Sequence, residues 1–305
     1  MTDYDVIIIG GGPGGISSLL WCHSLGLRAV LLERAAELGG QMLQMFHPVL
    51  DYPGLLPADG RALRDHFAGH VAQLQLDVRL NARIEAFDLA AHRVRCNGEW
   101  LQARALILAT GARQRRLHIP GEDEFALHED PHAPMPYAGQ PVCVIGGGDS
   151  AVQNSLLLAP VCSSVTLLHR SDQFRARAEW LREAEAAPNL TLLPHTVPLE
   201  IHAERVLVAD TRTGTQRDLP AAAVFVRIGV APNTELLQGQ LALNEAGYIR
   251  VETHQRTSCA GVYSVGDVCG PVCLSVATAV GQGALAAKAL AAEIQARRPR
   301  GWSAG

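Results

Sequence analysis

One stretch near the start, Asp5-Val6-Ile7-Ile8-Ile9-Gly10-Gly11-Gly12-Pro13-Gly14-Gly15, limits what this chain can fold into more than any other. The unbroken apolar run Val6 to Ile9 reads as a buried strand. Glycines in G-x-G-x-x-G register follow at Gly10, Gly12 and Gly15, and a helical pattern then runs from Ile16 to Leu25, where Gly26 can stop it. Gly10 allows a tight turn, Gly12 lets backbone approach a pyrophosphate, and Gly15 lets helix pack on strand, with Pro13 and Gly14 filling the loop. Phosphates then sit on a helix N-terminus, where free N–H groups and the helix dipole attract negative charge. Leu27 to Leu32 supplies the next strand. Glu33, 18 residues after Gly15 and followed by Arg34, stands where a carboxylate accepts bonds from both hydroxyls of an adenosine ribose.

The device returns at Val142-Cys143-Val144-Ile145-Gly146-Gly147-Gly148-Asp149-Ser150-Ala151, now as G-x-G-x-x-A. A helix is expected from Asp149 to Leu158, Pro160 breaks it, and Val165 to Leu168 forms the following strand. No acid ends that strand; His169, Arg170, Ser171 and, further on, Arg175 stand there instead, and an Arg at this point suits the extra phosphate of NADP. Thr191 to Val208 and Ala222 to Ile228 are expected to complete the second sheet. At 305 residues and 48% hydrophobic, the chain is long enough for about two domains with real cores, and the repeated strand-glycine-helix device makes them α/β.

A net charge of −4 gives no reason to expect nucleic-acid binding. The first apolar run is the nucleotide strand itself, with no charged leader before it, and no apolar run reaches spanning length, so a cytoplasmic protein without a transmembrane segment is expected. Seven cysteines, an odd number, argue against a disulfide scaffold, and their spacing offers no metal site. The tail Arg297-Arg298-Pro299-Arg300-Gly301-Trp302 is basic, ends in an aromatic and is expected to be flexible, with Trp302 covering a bound cofactor or a loose hold on an anionic membrane as its other readings.

Further motifs make the chain resemble the thioredoxin reductase family of small flavoproteins, the class II pyridine nucleotide-disulfide oxidoreductases. These are Gly39-Gly40-Gln41, Asp51-Tyr52-Pro53-Gly54, Ala109-Thr110-Gly111 ending the strand from Ala105, Ile228-Gly229-Val230-Ala231-Pro232-Asn233-Thr234, and Val265-Gly266-Asp267. The resemblance runs from Asp5 to about Ile294 and implies FAD at the first motif, one per chain. It assigns Gly40, Gln41, Asp51, Thr110, Gly111, Ser275 and Val276 to the flavin and Asp267 to its ribityl chain. It also implies an α/β fold of two Rossmann-like domains in three β/β/α layers, a homodimer and this division: residues 1–112 and 240–296 for FAD, an inserted 113–239 for a second nucleotide, and a tail 297–305. Gly60 to Leu76 is expected to be helical, and Asp77 to Arg95 to form antiparallel strands. Arg113, Arg115 and Arg116 read as solvated linker charges.

The chain departs from the family at two places. Ser171 replaces one Arg of H-R-R-x-x-x-R, which removes a bidentate phosphate donor and leaves NADPH, a second FAD, or no ligand open at the second site. The C-x-x-C before the second nucleotide strand is absent, and the segment Ala126 to Pro136 carries no thiol, only His128 and His132 in an exposed loop. The one closely spaced pair is Cys269 and Cys273, beyond Gly266-Asp267, with Gly270-Pro271 expected to open a helix reaching Ile294. Four-residue spacing on a helical turn puts their Cα atoms about 6 Å apart, within disulfide range. A helix N-terminus would lower a thiol's pKa. A redox pair and two packing residues both remain open readings. The departures resemble the diflavin-linked disulfide oxidoreductase branch, with a small thiol, disulfide or redox protein as partner. A ferredoxin or flavodoxin:NADP reductase and a non-enzymatic redox sensor are the alternatives.

Overall fold

The computed structural model describes residues 4–46, 48–128, 131 and 136–296. The chain forms two compact units: one made of residues up to Arg113 and from Ala231 onward, the other of Gln114–Val230. The insertion therefore ends at Val230, not near Gly239. Residues beyond it are tied into the first unit: Asn233 Nδ2 donates to the Thr110 carbonyl at 2.7 Å, and Leu237 lies in that unit's core.

The first unit starts with β1 (Tyr4–Ile9), α1 (Pro13–Ser24) and β2 (Ala29–Leu32). Pro13 lies in the first turn of α1, so the helix begins before the expected Ile16. After α2 (Gly60–Gln73) come β3 (Val78–Arg79), β4 (Ile84–Asp88), β5 (Arg93–Cys96) and β6 (Glu99–Leu108). β1 pairs in parallel with β2 and with the second half of β6, while β6's first half pairs antiparallel with β5, and β5 with β4. β3 is not part of the antiparallel set; it lies parallel on the edge of β2.

The alternation of β1 shows why this element tolerates no polar residue. Val6 and Ile8 face the cluster with α1 and α2, while Ile7 and Ile9 face a second cluster with Val94, Leu101 and Leu89. Both faces are covered, which is the physical reason for the unbroken apolar run.

β7 (Ala112–Gln114) leads the chain into the inserted unit, which holds α3 (Glu122–Phe125), β8 (Ala126–Leu127), β9 (Pro141–Ile145), α4 (Asp149–Leu158), β10 (Ser164–Leu168), α5 (Ala178–Ala186), β11 (Leu190–Leu193), β12 (Thr196–His202), β13 (Arg205–Asp210), β14 (Gln216–Pro220) and β15 (Ala223–Val226). A parallel sheet of order β11-β10-β9-β15-β8 carries helices on one face and the antiparallel β12-β13-β14 on the other. Ala126–Leu127 thus forms a strand paired with β15 where an exposed loop was expected. His132 and residues 297–305 lie outside the described residues.

β16 (Val230–Pro232) returns the chain to the first unit, where β17 (Val262–Ser264) adds to β6 and α6 (Val276–Ala296) packs along α1. The helices meet at glycine. A Cβ on Gly283 would lie 2.6 Å from the Gly14 carbonyl oxygen and 2.9 Å from the Ser17 Cβ, and Ser17 Oγ donates to the Val280 carbonyl at 2.7 Å. Gly281, in contrast, faces open space. Gly283→Ala is therefore expected to destabilise the first unit by about 1–3 kcal/mol through overpacking. Gly281→Ala is expected to be neutral or stabilising by up to roughly 1 kcal/mol. Urea unfolding followed by circular dichroism checks the contrast.

Candidate functional site

The first glycine loop is shaped by two backbones in contact. Gly10 has φ +110°, and a Cβ on Gly15 would lie 1.9 Å from the Gly10 carbonyl oxygen, so α1 starts directly on the end of β1. Around Gly12 nothing lies within 4 Å of a Cβ position, and no side chain caps the helix it precedes. The N–H groups of the first turn therefore have no side-chain acceptor, and an anion can approach them. Glu33 is buried; it accepts from the Gly11 N–H at 2.6 Å and from the Ala35 N–H at 2.7 Å. Each carboxylate oxygen keeps a further lone pair. Arg34 and Asp51 are exposed, Asp51 in a bend.

The Gly39–Gly40 turn folds back onto this loop: Gly39 N–H donates to the Gly11 carbonyl at 2.8 Å, and a Cβ on Gly40 would lie 3.1 Å from the Gly12 Cα. The neighbouring Gln41 Nε2 donates to Asp267 Oδ2 at 2.6 Å. Burial pushes the Asp267 carboxyl's pKa up, and the bond from Gln41 opposes that. Among the described residues, Asp267 Oδ1 takes no protein hydrogen bond. Thr110 and Gly111 end the strand before the crossover, where the Thr110 Oγ1 donates to the Asn233 carbonyl at 2.9 Å. The structure thus brings together the first motif, Gly40, Gln41, Gly266 and Asp267. An open phosphate cradle, a bonded acid at the β2 end and a part-free carboxylate at Asp267 fit a dinucleotide such as FAD.

In the inserted unit Gly146, Gly148, Asp149, Ser150 and Ala151 form the same loop at the start of α4, again with no side-chain cap. Asp149 is engaged: its Oδ1 accepts from the Arg177 N–H at 2.8 Å. His169 is buried with its ring against Gly147, where a Cβ would meet ring atoms at 2.2 Å. Its Nε2 lies 2.8 Å from Ser171 Oγ and 3.0 Å from the Gln173 carbonyl. Burial pushes its pKa down. Arg170 and Arg175 are exposed and have no carboxylate partner among the described residues. Ser171, itself exposed, uses its Oγ to hold His169. His128, expected to be solvated, instead has Nε2 3.4 Å from Glu122 Oε1, and burial pushes its pKa down.

The cysteine pair is the main correction. Cys269 ends a 3-10 turn over Gly266–Cys269, Gly270 closes that turn at φ +59°, and α6 starts only at Val276. Ser275 Oγ accepts from the Thr278 N–H at 3.2 Å and acts as the cap. Gly270-Pro271 does not open the helix, and the two cysteines do not share a helical turn. Both thiols are free. Cys269 is half-buried and donates to Ser264 Oγ at 3.2 Å; burial pushes its pKa up to about 12, opposite to the lowering expected from a helix N-terminus. Cys273 is exposed between Val272, at 109% relative exposure, and Leu274, at 52%.

Other residues of this site went unseen in the sequence. Gln282 Oε1 accepts from the Gly266 N–H at 2.7 Å, and Ser264 Oγ donates to the Leu108 carbonyl at 3.2 Å. Neither residue belongs to a motif; only the contact reveals them.

The profile of the pyridine nucleotide-disulphide oxidoreductases matches residues 4–283. The chain belongs to this oxidoreductase family. It is 31% identical over 295 residues to an NADH dehydrogenase of Bacillus subtilis, covering 93% of this chain but 57% of that protein. It is 33% identical over 297 residues to thioredoxin reductase of Mycolicibacterium smegmatis, with 93% and 94% covered. The crystal structure of Lactococcus lactis thioredoxin reductase in its FR conformation superposes with a TM-score of 0.84 at 29% identity, covering 95% of this chain and all of that one. The chain thus spans a little over half of one relative and nearly all of the other. Among the described residues no helix is long and apolar enough to cross a membrane.

The two thiols are expected to differ sharply in reactivity. At pH 8 iodoacetamide is expected to label Cys273 within minutes while Cys269, a thiol until about pH 12, stays unlabelled in the folded protein. Peptide mass spectrometry after timed quenching reads this directly, and equal labelling would contradict the burial argument.

Proposed function

We propose that the chain is an FAD-dependent dithiol/disulfide oxidoreductase with Cys269 and Cys273 as its dithiol. The supporting observation is their asymmetry on one short segment after Asp267: Cys273 exposed, Cys269 half-buried. In that reaction the Cys273 thiolate attacks one sulfur of a partner disulfide, forming a mixed disulfide and expelling a thiolate. Cys269 then gives up its proton and attacks the Cys273 sulfur, which releases the partner's second thiolate. The partner disulfide gains two electrons, and the chain keeps a Cys269–Cys273 disulfide. Segment 270–275 holds no helix or strand, which lets Cys273 swing toward Cys269. When bound, the flavin supplies the two-electron chemistry that returns the pair to thiols. The first-turn N–H groups past Gly12 would seat its phosphates, Glu33 would hold its ribose, and Asp267 its ribityl chain.

In the inserted unit the two unpaired arginines, Arg170 and Arg175, favour NADPH over a second FAD, since both suit the isolated 2′-phosphate. One observation supports a second reading, a thiol-independent NADPH reductase of a redox protein: the Cys269 pKa rises to about 12, where a catalytic dithiol usually lowers it. Flavin content per chain, followed by anaerobic titration with NADPH and with a dithiol, separates the readings. Loss of dithiol-driven flavin reduction in Cys269→Ser and Cys273→Ser supports the first, and unchanged kinetics in both variants overturns it. Two flavins per chain assign the inserted unit to FAD.

Ser171→Arg tests the second nucleotide. Restoring a guanidinium beside Arg170 is expected to lower the KM for NADPH about tenfold with kcat little changed. An unaltered KM speaks against a phosphate at this strand end.

A further inference from the structure

The Gly266-Asp267 turn is held from two sides by glutamines that come from distant parts of the chain. Gln41, in the 3-10 turn Gly40–Gln44, donates Nε2–H to Asp267 Oδ2 at 2.6 Å. Gln282, inside α6, uses Oε1 to accept the Gly266 N–H at 2.7 Å. Gly266 has φ +78°, a left-handed backbone that favours glycine, and its N–H and the Asp267 side chain are held by different partners. The two bonds are also of opposite polarity: one needs a donor at 41, the other an acceptor at 282. A glutamine amide carries both a donor and an acceptor, so the same residue type serves at both positions.

We infer that Gln41 and Gln282 are positioning residues that preorganise Asp267 for the hydroxyls of the FAD ribityl chain. This rests on the reading of the first unit as the FAD site. Gln41 occupies one carboxylate oxygen and keeps the second, Oδ1, directed and free of protein partners among the described residues. Gln282 fixes the backbone from which that carboxylate hangs. Since a hydrogen-bonded, desolvated carboxylate has few rotamers left, the ligand does not bear the cost of ordering it. The clamp also links the turn after Gly39 and helix α6 to the same two residues, so a single bound molecule senses both.

Polarity makes the inference testable beyond simple damage to the fold. At 282, Gln282→Glu keeps the accepting oxygen and Gln282→Met removes it. At 41, Gln41→Met removes the donor and Gln41→Glu sets a second carboxylate against Asp267. FAD dissociation is read as recovery of free-flavin fluorescence from holoenzyme diluted at neutral pH, and circular dichroism melts of the same samples report folding. Gln282→Met is expected to release FAD roughly fivefold faster, with Gln282→Glu close to wild type. Gln41→Met is expected to release it on the order of tenfold to a hundredfold faster, and Gln41→Glu faster still. Wild-type rates in Gln41→Met and Gln282→Met with unchanged melting overturn the inference. Equal loss in Met and Glu variants at 282 also overturns it, because a packing role ignores polarity. A wild-type protein that carries no FAD overturns instead the reading on which the inference stands.

Discussion

The contact on which the first unit depends is the approach of the Gly15 backbone to the Gly10 carbonyl oxygen, close enough that a Cβ would lie 1.9 Å away. It sets the start of α1 on the end of β1 and so aims the first turn's N–H groups past Gly12 into open space. Other elements are arranged around that placement. The Gly39 N–H bonds back to Gly11, Glu33 holds the loop from the end of β2, and α6 closes on α1 at Gly283. Apart from the Glu33 carboxylate, each contact is made by backbone or by one small residue, so it depends on what is missing from a side chain.

The inserted unit repeats the frame with one change in its chemistry. Its loop is held not by a carboxylate at the strand end but by an imidazole: His169 packs on Gly147 and is fixed by Ser171 and the Gln173 carbonyl. Glu33 brings a carboxylate to the first loop, whereas the second has a ring with two exposed arginines beyond it. The same backbone device thus carries side chains of opposite charge type at its two strand ends.

Much of the frame was legible in the sequence because strands buried on both faces leave unbroken apolar runs and tight turns leave glycines. Val6 to Ile9 and Val142 to Ile145 could be read for that reason. The start of α6 was not legible: Gly270-Pro271 is a good helix opening locally, but Gly270 turns left-handed to close the preceding turn, and Ser275 is the cap. Spacing alone placed Cys269 and Cys273 on one helix; burial against the β-layer and the bond to Ser264 decide their chemistry instead. Gln282 was invisible for a plainer reason. Its partner is a backbone N–H 16 residues away, and no residue pattern records such a bond. The end of the insertion was misplaced because Asn233 and Leu237 look like linker until their partners at Thr110 and in the first core are known.

β6 and β17 are hydrogen-bonded neighbours, yet Leu108 and Ser264 are 156 residues apart because the whole inserted unit is strung between them. On a ribosome this imposes an order. The insertion emerges entire and can close its own sheet while its host still lacks β17, Asp267 and α6. The first glycine loop must wait, half-assembled, with the edge of β6 that takes β17 and the side of α1 that takes α6 uncovered. A ligand that needs both the first glycine loop and Asp267 therefore meets a nearly finished chain.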